Sequence, residues 1–400
     1  MTAILETETR RAVAALSAFI RRFGLLGLLS VVALAVALWV QHAAHLPRHY
    51  TWESPYRVLL YQVIGGRRLP CALLGVTLLG ALSVIPLATI RARVRQPVTR
   101  KEQLGALLAL AAASLIGWAD ASFFFDHDLW DGFSMGLFVV FAVLRAQREA
   151  SKRNALRALG TLAYGAAVFV VICFFYTVIK ATVFQHAEPI DETIVAIETF
   201  LFGAPPHRAL AIWAQDHFGF VEWCDWTYFR LFDHMLLTGV LLWVRRDTAE
   251  RTEYLGALAF CYLLGGPLYH LFPGVGPGYF EPQYFPYLGQ FKLVTPVVRA
   301  ALWHNTQDAI HGTGKALYTW SYVACIPSLH VAHELVMAFY ARKPWPALAL
   351  SVAFTLMTLI SVVVMGWHYP LDWLGGLAVA VIAIKLSRKL RGWLLPSALS

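Results

Sequence analysis

Charge is what this sequence has least of. Acidic and basic residues occupy 14% of its 400 positions, where a soluble globular chain carries about 25%. So few charges cannot solvate the surface of a chain this long, which excludes the water-soluble classes. Cysteine is scarce too. Cys71, Cys173, Cys224, Cys261 and Cys325 are odd in number and widely scattered, so neither a disulfide framework nor a CxxC metal site is implied. No small-residue cleavage site follows the first apolar run, and residues 1–22 mix acids with Arg10, Arg11, Arg21 and Arg22. The expectation is a short amphipathic cytoplasmic helix rather than a cleaved signal peptide. Internal repeats and low-complexity tracts are missing as well.

Apolar residues are abundant instead, at 58%. Several runs reach the roughly 20 residues that a bilayer core demands. They predict an all-α, polytopic transmembrane bundle of about ten spans: 23–41, 69–90, 104–124, 132–145, 158–180, 227–245, 254–272, 323–341, 345–365 and 369–386. The chain divides near residue 155 into an N-terminal block, 1–155, and a six-span block, 156–400. The net charge of +9 sits in clusters at span ends, so it reads as topology and not as nucleic-acid binding. Arg91 to Lys101, Arg145 to Arg157, Arg245 to Arg251, Arg342 with Lys343, and Lys385 to Arg391 follow the even-numbered spans. Basic loops stay in the cytoplasm. Both termini are therefore expected there, in an inner (plasma) membrane. Arg48, Arg57, Arg67 and Arg68 break the pattern, and segment 46–68 is read as an interfacial helix. Two long outer loops, about 181–226 and 273–322, are rich in Trp, Tyr, Phe, Pro and His; such loops usually have a function.

Two strings carry chemistry. Ile326-Pro327-Ser328-Leu329-His330 opens the eighth span, and Gly366-Trp367-His368-Tyr369-Pro370-Leu371-Asp372 opens the tenth, with Gly375 and Gly376 just after. The two histidines stand 38 positions apart. At about 1.5 Å of rise per residue, one crossing takes some 20 residues, so a down-and-back hairpin returns to the same face. Both rings then lie in the first turn of an inward-running helix, where they can meet. Ser328 suits an N-cap and Pro370 a helix start, and helix N-termini favour phosphate. His368 and Asp372 share a helix face. The carboxylate can hold one imidazole nitrogen as N–H and leave the other as nucleophile, while His330 serves as general acid. Three other arrangements stand beside this one: a metal site drawing His333 and Glu334 together with His304, Asp308 or His311; a proton-relaying transporter using Asp120; and a non-catalytic scaffold.

These strings resemble the type-2 phosphatidic acid phosphatase superfamily, and more closely its branch containing fungal inositol phosphorylceramide synthase. The motif Pro-Ser-Gly-His appears as Pro327-Ser328-Leu329-His330. The motif Ser-Arg-x5-His-x3-Asp matches at Ser361, His368 and Asp372, with Val362 at the arginine position. The motif Lys-x6-Arg-Pro is not recognisable. The resemblance covers residues 158–386 and implies His368 as a nucleophile forming a phosphohistidine, Asp372 as its orienter, His330 as acid then base, and no metal or other cofactor. It leaves the phosphate clamp to be found, with Ser328, Lys292, Arg299 and Lys315 as candidates, and Asp233 and His234 if the sixth span reaches the site. The function implied is a lipid phosphotransferase working at the outer face between a membrane lipid donor and an acceptor hydroxyl. The alternative is a phosphatase using water.

Overall fold

The computed structural model describes residues 14–51, 152–229, 248–289, 293–343 and 345–399, with seven helical positions between 231 and 242. The expected spans 69–90, 104–124 and 132–145 lie outside the described residues, as do Asp120, Asp233 and Lys292. In chain order the helices are α1 (Leu25–Ala43), α2 (Lys152–Ala181), α3 (Asp191–Phe202), α4 (Pro206–Gln215), α5 (Phe218–Tyr228) and α6 (Thr248–Leu271). They continue with the short α7 (Pro277–Phe280), α8 (Thr295–His311), α9 (Leu329–Tyr340), α10 (Trp345–Val364), α11 (Asp372–Lys389) and the single turn α12 (Arg391–Leu394). Among the described residues the only strands are β1 (Tyr50–Thr51) and β2 (Leu317–Tyr318), which pair in parallel.

The chain is an all-α membrane protein. Among the described residues, four segments are long and apolar enough to cross a bilayer: α1, Ala163–Gln185 (most of α2 and the turn after it), α6 and α10. α9, expected as a span over 323–341, begins only at Leu329 and runs twelve residues. Residues 323–328 are irregular because Pro327 cannot donate to a helix already under way.

Contacts fix the helix directions. At one end, Arg342 pairs with Glu250 at 2.5 Å, Arg391 pairs with Glu253 at 3.1 Å, and the Ser387 hydroxyl donates to the Glu253 carbonyl. The Ser397 amide reaches the Arg21 carbonyl at 2.8 Å, so the start of α1, the start of α6 and the tail after α12 lie together. At the other end, Gln185 Nε2 donates to the Ala309 carbonyl at 2.7 Å and to the Ala44 carbonyl at 3.4 Å. α1 and α2 therefore run parallel, and the segment after α1 is tied to the loop before α9 through the strand pair.

Between membrane helices, apolar burial gives little net drive, and close packing over small residues takes its place. A Cβ at Gly265 would overlap Leu329, and one at Gly256 would meet Ser387 and Leu394. These contacts seat α6 against α9 and α11.

The two long loops, about 181–226 and 273–322, are largely helical. Asp191 and Glu192 stand in the first turn of α3, where the helix dipole favours acids, and Gly203 ends it at φ 79°. Pro206 starts α4, and Pro296 lies in the first turn of α8. Their dense aromatics obscure these helix signals in the sequence, yet the turn residues carry them.

Candidate active site

Two helix starts build the site. Ser328 caps α9, its hydroxyl accepting the Val331 amide at 3.4 Å, and its own amide reaches the Asp372 carbonyl at 3.4 Å. α11 comes this close because it carries glycine: a Cβ on Gly376 would sit 2.6 Å from the Ser328 carbonyl oxygen and 2.9 Å from Val331 Cβ. Upstream, α10 ends in a tight reversal. The Val362 carbonyl accepts the amides of Trp367 at 2.9 Å and His368 at 3.0 Å, and Gly366 supplies a φ of 66°.

His368 thus arrives at the head of α11 with its ring held. Its Nδ1–H donates to Asp372 Oδ2 at 3.2 Å, and the same oxygen accepts the Tyr369 amide at 3.0 Å. The His330 ring stands 6.0 Å from the His368 ring, centroid to centroid, tilted by 59°. Tyr228 stacks on His330 at 4.4 Å and on Trp367 at 5.3 Å. The ordered Nδ1–H leaves the His368 Nε2 lone pair free, and the second imidazole stands beside it.

Carboxylates from the outer helices pin the surrounding loops. Asp191 accepts the amides of Val275 and Gly276, both at 2.9 Å, and the Tyr369 hydroxyl at 2.8 Å. Burial raises its pKa above the ordinary carboxylate value, and those three donors oppose the rise. Glu198 accepts the Leu371 amide at 3.0 Å and meets His207 Nδ1 at 3.0 Å, while His207 Nε2 meets Glu281 at 2.8 Å. Burial alone would raise the pKa of Glu281, but its hydrogen bonds to Arg208 and His207 outweigh that and leave it lowered. Asp225 holds the amides of Val294 (2.7 Å) and Thr295 (2.9 Å) at the head of α8. Three carboxylates thereby position the loop bearing His368, the loop 273–281 and the helix bearing Arg299. Asp191→Ala would orphan three buried donors, at a cost on the order of 3 kcal/mol. A lower thermal midpoint in detergent is expected, and an unshifted midpoint would remove this role.

The remaining residues selected from the sequence separate. Lys315 is exposed. Arg299 is buried, its guanidinium 4.2 Å over the Tyr279 ring and 5.8 Å from Trp367, with Nη1 near the carbonyls of Met365 and Gly366. His234 lies one turn deeper than His330: Nδ1 meets Glu334 at 2.6 Å, Nε2 meets the Ser351 hydroxyl at 2.8 Å, and the ring stacks on Phe354. Exposed His304 pairs with half-buried Asp308 at 3.6 Å, and His333 bonds the Leu329 carbonyl at 2.6 Å. Among the described residues, no three His, Cys, Asp or Glu side chains cluster as metal ligands would. Leu329, at the variable position of its motif, packs into the core against α6. Val362 is wholly buried among apolar side chains such as Val298 and Leu302.

Sequence reading misses one cation. Lys180, in the last turn of α2, lies 5.8 Å over both the Tyr176 and Tyr269 rings and within electrostatic range of His330 and Cys325. Among the described residues, no carboxylate pairs with it. A lysine just inside the end of an apolar run was the available signal.

Fold and site together define a helical membrane protein with a histidine–aspartate pair and a second histidine at adjoining helix starts. Residues 192–386 match the family model described as the PAP2 superfamily. The match supports the type-2 phosphatidic acid phosphatase superfamily for this half of the chain, and with it a phosphatase- or phosphotransferase-type lipid enzyme. Among the curated proteins and the solved structures, nothing matches the chain.

Proposed function

We propose that the chain is a lipid phosphotransferase that carries a phosphoryl head group from a membrane lipid to an acceptor hydroxyl through a phosphohistidine. The observation that carries this reading is the convergence of His330 and His368 at 6.0 Å with Asp372 on the Nδ1 of His368. A phosphorus beside both rings can come within the roughly 3–3.5 Å that a near-attack arrangement needs.

In the first step the Nε2 lone pair of His368 forms a bond to phosphorus. The P–O bond to the lipid alkoxide breaks, and protonated His330 gives its proton to the departing oxygen. In the second step neutral His330 takes a proton from the acceptor hydroxyl. The acceptor oxygen bonds to phosphorus, the N–P bond breaks, and its electrons return to Nε2. Asp372 faces the positive charge that the phosphorylated imidazole carries. Lys180 is our choice of clamp for the phosphoryl oxygens, because a cation with no carboxylate beside it among the described residues calls for an anion. The basic clusters after the even-numbered spans support a site at the outer face, with the termini in the cytoplasm.

Transfer, as against hydrolysis, is supported by the cover over the site. His368 is 5% exposed beneath the loops pinned by α3 and α4, so bulk water is held back and a bound hydroxyl has the advantage. Product analysis with a labelled phospholipid donor tests this. A new phosphodiester lipid is the expected product; release of the free head-group phosphate alone would establish the phosphatase.

A further inference from the structure

A cavity of about 500 Å³ opens beside the site, lined by Tyr279, Pro282, Phe285, Leu288, Arg299 and Trp303 among others. Its charge is Arg299, and that charge is under-used. A guanidinium carries five N–H donors. Among the described residues, only Nη1 finds acceptors, the carbonyls of Met365 at 3.4 Å and Gly366 at 3.5 Å. Burial lowers the pKa of Arg299 from its ordinary value, yet a guanidinium stays charged at neutral pH. A buried cation without an anion is costly, and the π face of Tyr279 offsets only part of that cost.

The backbone is shaped to keep the guanidinium where it is. A Cβ on Gly278 would overlap Arg299 Nη1, and one on Gly366 would sit 2.9 Å from the same atom. The walls are fixed as well. The Tyr279 hydroxyl donates to the Arg299 carbonyl at 2.9 Å, and the Tyr279 ring stacks on Trp303 at 5.4 Å and 23°. Among the described residues, the Arg299 guanidinium meets Tyr279, Trp367 and the carbonyls of Met365 and Gly366 but makes no contact with His330 or His368. Trp367 in turn stacks on Tyr228, which stacks on His330. Arg299 is therefore placed for a different anion from the one His368 attacks.

We infer that this cavity is a subsite for a second anionic group of a substrate, a phosphate or carboxylate distinct from the reacting phosphoryl group, held by Arg299 between aromatic walls. The inference rests on the phosphotransfer reading above. The group can belong to the donor or to the acceptor, and two arms separate these sources. The donor arm compares dihexanoyl phosphatidylglycerol with its analogue bearing glycerate in place of glycerol. The acceptor arm compares free glycerol with free glycerate.

In the arm to which the group belongs, Arg299→Gln is expected to raise KM for the carboxylate-bearing member by about 10- to 100-fold more than for its neutral partner, with Arg299→Lys recovering part of the loss. Ala300→Trp, at an exposed position lining the cavity, narrows it without touching the guanidinium and is expected to shift the same ratio. It keeps the test decisive should Arg299→Gln not fold. A KM ratio that neither variant moves in either arm overturns the subsite. Full turnover by His368→Ala would instead overturn the underlying reading, whatever the ratios.

Discussion

His368→Ala is expected to abolish turnover, and Asp372→Asn to lower it by about 10^3- to 10^4-fold, as loss of the correct tautomer does in histidine triads generally. The geometry explains why so small a change at Asp372 costs so much. Asp372 Oδ2 receives the Nδ1–H of His368 and the Tyr369 amide together. An amide in its place has one acceptor and two donors, and a donor turned toward the ring draws the lone pair to Nδ1. Nε2 then carries the proton and cannot attack phosphorus. A donor labelled at phosphorus should leave an acid-labile, base-stable label on the wild-type protein and none on His368→Ala. Persistence of that label in His368→Ala, or near-normal rates in Asp372→Asn, would remove the nucleophile assignment.

The part of this site legible in the sequence is the part governed by local periodicity. The 38-position interval between the histidines is one hairpin of membrane length, so their meeting follows from helix rise alone. The four-residue step from His368 to Asp372 and the cap at Ser328 are equally local. Gly375 and Gly376 stand out in the sequence, but their role as the contact that seats α11 on α9 needs both helices in place. The supports are not legible because they act at long range. Asp191 holds Gly276 and Tyr369, and Asp225 holds Thr295, separations of 70 to 178 positions that no local pattern encodes. The segment Phe272 to Tyr279 reads equally as a plain turn or as a Pro-rich loop like one in the branch the sequence resembles, and its glycines permit backbone contact with Gly366 and Trp367. Lys180 was absorbed into the end of a span. Arg299, by contrast, was selected by charge and outer position alone, and the fold sets it to one side of the reacting pair.

The role of His330 yields the second large effect, and it is the one that separates acid catalysis from packing. A lipid alkoxide is strongly basic and leaves slowly without a proton, so His330→Gln is expected to slow turnover of a short-chain lipid phosphate by about 10^2- to 10^4-fold. Nitrophenolate is a far weaker base and needs little help. With p-nitrophenyl phosphate, therefore, the same variant should release about one equivalent of nitrophenol per enzyme at close to the wild-type rate, because attack by His368 is intact. Turnover should then stall, since the second step needs His330 to take the acceptor's proton, and the phosphohistidine should accumulate. Rapid quench reads both the burst and the trapped label. A purely structural His330, stacked on Tyr228 to hold α5 against α9, predicts otherwise: its loss would disturb the His368 ring and slow both substrates alike, with no burst. Equal losses on the two substrates would thus leave His368 without its acid, and the proton would have to come from elsewhere in the site.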